Sequence, residues 1–187
     1  KAAIRKRNPT AKQEHLFGRI RKGPTRYYGL MGNEGGVTMY SPFRNEQGRP
    51  KSLDEVTYAD LAQLKDLEEG FALEFKRTWN DNVRTKIPKI IASFANSHGG
   101  WLVIGIADGD KAVCPVPKLS ADFSQIFGEL CRHHVSPTPR FDARFIPDPA
   151  SPNQGAVVVQ VHEGDFPPYV ADGIVEIREG STSGPAL

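Results

Sequence analysis

The pattern of apolar and polar positions becomes regular only beyond residue 52. Two segments there, Ser52-Leu53-Asp54-Glu55 and Thr57-Tyr58-Ala59-Asp60, carry the spacing of capped helix starts, and Leu61, Leu64 and Leu67 follow at helical intervals. Residues 71–76 alternate strictly, which predicts a strand with Phe71, Leu73 and Phe75 turned inward. Val83, Ile87, Ile90, Ile91, Phe94 and Ala95 form one apolar helical face, and Gly99-Gly100 ends that helix. Residues 101–107 are almost continuously apolar, the signature of a central strand, with Asp108-Gly109-Asp110 as the turn beyond it. A second helix is predicted over 120–134, on Phe123, Ile126, Phe127 and Leu130, and strands over 140–146, 156–162 and 173–178. This succession predicts an α/β (α+β) domain built on a mixed sheet flanked by helices.

Charge divides the chain differently from hydropathy. Residues 1–51 hold 12 Lys and Arg against 3 acids, a balance of +9, whereas residues 52–187 hold 12 against 19, a balance of −7. We therefore read 1–51 as a basic arm with two short strands near 26–31 and 37–40, 52–182 as the folded domain, and 183–187 as a linker. A basic arm before an acidic domain suits a polyanion partner, because each Lys or Arg displaces a counterion from a phosphate backbone. A merely solvated extension would carry the same composition. Arg5, Lys6, Arg7, Arg19, Arg21, Lys22 and Arg26 are its candidate phosphate contacts.

Several classes of function drop out. The longest apolar run is far short of the roughly 18 residues of a membrane helix, and no secretory pattern opens the chain. Two cysteines without a CxxC give neither a disulfide framework nor a zinc knuckle, and we expect a reduced, cytoplasmic setting. The five histidines are scattered, and neither a phosphate loop nor a serine elbow occurs. The start at Lys1 and the small, polar end read as an excerpt from a longer protein with flanking domains.

Three carboxylates remain as candidate chemistry. Glu74 lies on the alternating strand, opposite in facing to Leu73 and Phe75; Glu69 sits five residues earlier, and Asp108 ends the next apolar strand. Were the two strands paired, the three would converge as oxygen ligands for Mg²⁺ or Mn²⁺, which can polarise a phosphodiester. Lys76, two residues after Glu74, shares its face and would orient a phosphate. On residue types alone, however, solvent-facing acids and a turn aspartate are the commoner outcome.

Leu73-Glu74-Phe75-Lys76, the run from Ile90 through Ser93-Phe94-Ala95-Asn96-Ser97-His98-Gly99-Gly100, and Leu102-Val103-Ile104-Gly105-Ile106-Ala107-Asp108 together resemble the Schlafen AlbA_2-type domain, also called divergent AAA-4. Phe166-Pro167-Pro168-Tyr169 and Ile177-Arg178-Glu179-Gly180-Ser181 resemble the closing segment of that family, so the likeness covers about residues 60–182. The resemblance implies a nucleic-acid-related domain. In animal members, similar domains are metal-dependent endoribonucleases acting on tRNA and rRNA through three carboxylates, which maps onto Glu69, Glu74 and Asp108 and favours RNA over DNA. Two departures stand out: Ala107 replaces a common further acid, and one lobe is present where those nucleases pair two, which implies a homodimer. Many microbial members instead attach the domain to regulatory or defence proteins as a DNA- or RNA-binding module. The family label of ATP binding has no phosphate loop here to support it.

Overall fold

The computed structural model describes residues 40–186. A mixed sheet forms its centre. β1 (Leu73–Lys76) runs parallel to β2 (Gly100–Ile104), with Glu74 beside Leu102 and Lys76 beside Ile104. β3 (Val116–Pro117), β5 (Phe141–Asp148) and β6 (Ser151–Val161) complete it; β6 lies antiparallel to β2 on one side and to β5 on the other. β2 is therefore internal, as its unbroken apolar run predicts, and all five of its residues are buried.

Each face of this sheet carries its own core. On one face, Leu73, Phe75, Trp101, Val103 and Val158 pack against Phe43, Leu53, Val56, Leu61 and Leu64. Leu53, Leu61 and Leu64 come from two 3₁₀ helices, Leu53–Glu55 and Tyr58–Asp66, and Val56 from the link between them. Both begin with the predicted capping boxes, Ser52 with Glu55 and Thr57 with Asp60. On the other face, Leu102, Ile104, Val157 and Val159 meet α1 (Asp81–Ala95) and α2 (Phe123–His134). α1 buries Val83, Ile87, Ile90, Ile91 and Phe94, the residues whose spacing predicts it.

A second sheet of β4 (Val135–Ser136), β7 (Val170–Ala171), β8 (Ile174–Glu179) and β9 (Thr182–Pro185) packs on α1. Asn96, at the end of α1, ties them together. Its amide donates to Tyr169 O and Glu176 O, and its Oδ1 accepts the Tyr169 N–H at 2.6 Å. Gly99 then turns into β2 at φ +71°, with Val161 O only 2.6 Å from where a Cβ would stand. A side chain has no room there, which explains the glycine.

Three expectations need correcting. Phe71 is 65% exposed rather than buried, because Gly70 and Leu73 close a tight turn that starts β1 two residues later. Residues 182–185, read mostly as linker, form β9 and pair with β8. The arm boundary at residue 51 also cuts through packed structure: Phe43 is fully buried, and Trp101 Nε1 donates to Tyr40 O at 2.6 Å. The strand expected near 26–31 and most of that near 37–40 lie outside the described residues.

Candidate functional site

Glu74 points to the α1 face of the sheet, as strand alternation requires, but it does not reach solvent; the residue is 7% exposed. One carboxylate oxygen accepts from Lys76 Nζ at 2.5 Å, and the other accepts from Arg178 NH1 at 2.7 Å. Arg178 projects inward from β8, donates also to Gly70 O, and lies over the Phe94 ring. Two cations thus occupy the carboxylate, which offsets the cost of burying it.

Glu69 has a different task. Its Oε1 accepts the Phe75 N–H at 2.7 Å. Trp101 and Gly105 donate to Ala72 O and Lys76 O, so β1 turns those groups toward β2 and turns the Phe75 amide outward. Glu69 therefore caps the free edge of β1, while Gly70 and Arg178 take Leu73. Asp108 is exposed in the turn after β2, where its carbonyl accepts from Lys111 Nζ at 2.6 Å. Lys111 is buried and sits against the Phe75 ring, a role its sequence context did not signal.

The three carboxylates do not assemble into an ion cage. Among the described residues, no group of three His, Cys, Asp or Glu is placed to hold a metal ion. Glu74 would have to release both cations before it could ligate Mg²⁺ or Mn²⁺, so the donor set as folded does not fit such an ion. Two histidines are engaged elsewhere. His134 pairs with Asp172 and His162 with Asp142, each at 2.8 Å. Burial pushes the Cys131 thiol up to about 12, which makes it a poor nucleophile.

What the domain does offer outward is cations. From Lys76 to Lys89 there are five Lys and Arg against Asp81 alone, inside a region whose balance is otherwise acidic. Lys76 and Lys89 are partly engaged, by Glu74 and by Glu176 at 3.6 Å. Arg77, Arg84 and Lys86 are exposed, on the β1–α1 turn and the first turns of α1. Asn80 fixes that turn by accepting the Val83 N–H at 2.9 Å. The arm candidates Arg5, Lys6, Arg7, Arg19, Arg21, Lys22 and Arg26 lie outside the described residues. Among the described residues no helix is long and apolar enough to cross a membrane.

A family model described as Schlafen, AlbA_2 matches residues 69–186, from the edge-capping Glu69 through β9. Among solved structures, the chain is similar to the crystal structure of the DIP2311 protein from Corynebacterium diphtheriae, at 16% identity and a TM-score of 0.45. That match covers 62% of this chain and 22% of the other.

Proposed function

Because the chain belongs to the Schlafen AlbA_2 family, we propose that it is a nucleic-acid-binding module that grips phosphate, with RNA as its preferred partner. The observation that carries this is the exposed trio Arg77, Arg84 and Lys86, a basic island on a domain of net negative charge. Family membership points to nucleic acid in general. The trio supplies a place for it, since guanidinium and ammonium groups on one turn and one helix start can follow successive phosphates. The basic arm adds contacts through Arg5, Lys6, Arg7, Arg19, Arg21, Lys22 and Arg26.

The competing reading is a metal-dependent endoribonuclease using Glu69, Glu74, Asp108 and Lys76. The spacing of Glu69 and Glu74 favours it; the engagement of Glu74 by Lys76 and Arg178 favours the binder. One experiment separates them. The full chain is incubated with tRNA, single-stranded RNA and duplex DNA, in Mn²⁺ or in EDTA, and both binding and cleavage are read. The binding module predicts salt-sensitive complexes that survive EDTA and leave the RNA intact. Mn²⁺-dependent cleavage that Glu74→Ala abolishes would restore the nuclease, and no complex with any of the three would end both readings.

A further inference from the structure

Among the described residues the outer edge of β5 is open. There β5 pairs with β6 alone, and the bond from the His162 N–H to Arg140 O fixes which of its residues face inward. Backbone groups alternate along an antiparallel strand, so Arg140, Asp142, Arg144 and Ile146 turn theirs toward β6. Phe141, Ala143 and Phe145 turn theirs outward, and no hydrogen bond among the described residues reaches them. The contrast with β1 is sharp, because there Glu69, Gly70 and Arg178 close the free edge. An unclosed edge is a template for another strand.

The residues around Ala143 say which strand fits. From 139 to 147 the chain reads Pro-Arg-Phe-Asp-Ala-Arg-Phe-Ile-Pro. Turned about Ala143 and laid antiparallel on a copy of itself, Asp142 opposes Arg144, Phe141 opposes Phe145 and Pro139 opposes Pro147. The charged pair falls at a position without main-chain bonds across the seam, where opposing side chains approach most closely. Moving the centre by one residue sets Asp142 against Asp142 or Arg144 against Arg144. Moving it by two sets a proline, which has no N–H, opposite Ala143. The segment is thus self-complementary in one register.

Both members of the charged pair keep capacity for a partner. Asp142 uses Oδ2 toward His162, and Arg144 uses NH1 toward Leu53 O at 2.7 Å, which leaves further groups on each. A groove of about 400 Å³ runs beside this edge, between Ala143, Arg144 and Phe145 and the segment from Lys118 to Phe123.

We propose that β5 is a dimerisation edge, joining two copies of this chain across a two-fold axis at Ala143 into one continuous sheet. Three opposed pairs, Ala143 with itself and Phe141 with Phe145 twice, supply roughly six main-chain hydrogen bonds. A single-strand seam is small, so the dimer is reversible and concentration-dependent.

Sedimentation of the full chain over a concentration series tests this without nucleic acid, so its outcome is independent of the proposed function. The wild-type chain should dimerise. Asp142→Arg or Arg144→Asp alone should weaken association at least about tenfold by opposing like charges. The double exchange should restore it to within a few-fold. Ala143→Pro, which deletes an outward amide, should give a folded monomer. A wild-type chain that stays monomeric throughout overturns the proposal. So does a double exchange no tighter than the single ones, or a dimer indifferent to all four variants.

Discussion

Arg178 and Glu74 lie 104 residues apart in sequence and meet at 2.7 Å, joining β8 of the second sheet to β1 of the first. Arg178 is 1% exposed in its side chain, and its Nε has no hydrogen-bond partner among the described residues. Removing Glu74 would leave Arg178 buried without its counter-charge, and removing Arg178 would leave the buried Glu74 with Lys76 alone. Glu74→Leu or Arg178→Met should each cost about 3–5 kcal/mol, whereas the two together should recover much of that loss. Urea unfolding of the three variants reads the coupling directly. Additive losses would show that the pair is not a unit.

Phe94 anchors the opposite side of the same cation. It is fully buried on the α1 face predicted from the spacing of Ile87, Ile90 and Ile91, and Arg178 lies 4.7 Å from its ring centroid. Phe94→Ala should therefore destabilise by about 3–5 kcal/mol. An unchanged melting temperature would contradict the packing of α1.

Asp60 gives the fold an acid-sensitive contact. Burial alone would raise its carboxyl, but the Lys51 ammonium, the Thr57 amide and the Thr57 hydroxyl outweigh that and hold it below the usual aspartate range. A depressed carboxyl stabilises the folded state above its unfolded value, near pH 4, and that contribution fades as pH falls through the folded value. Asp60→Asn should lower stability at neutral pH and flatten the loss on acidification. Parallel pH profiles for the two proteins would count against it.

The arm should contribute affinity without specificity. Deleting residues 1–25 removes Lys1, Arg5, Lys6, Arg7, Lys12, Arg19, Arg21 and Lys22. Binding to RNA and to duplex DNA should weaken together, with a shallower salt dependence. Titrations of the truncated and full chains check this, and identical curves would make the arm a solvated tail.

Local periodicity made much of this fold legible, and long-range pairing did not. α1, α2 and β2 follow from apolar spacing, and the capping boxes at Ser52 and Thr57 start helices where their residues predict them. The site was harder. β8 buries Glu176 and Arg178 and leaves Val175 and Ile177 half-exposed, the reverse of the facing that hydropathy implies. Only partners distant in sequence, Lys89 for Glu176 and Glu74 for Arg178, make that arrangement stable. The same gap separates Glu74 as a candidate ligand from Glu74 as half of a buried ion pair. β4 and β7, at two residues each, are too short for periodicity to show.

The central claim is that the β1–α1 turn meets phosphate. The direct test is the salt dependence of RNA binding by the full chain and by the triple variant Arg77→Gln, Arg84→Gln, Lys86→Gln. These three residues are exposed, so the variant should melt with the parent. The account predicts weaker binding and a slope of log affinity against log salt reduced by about two to three. A triple variant with the parent's affinity and slope would contradict it.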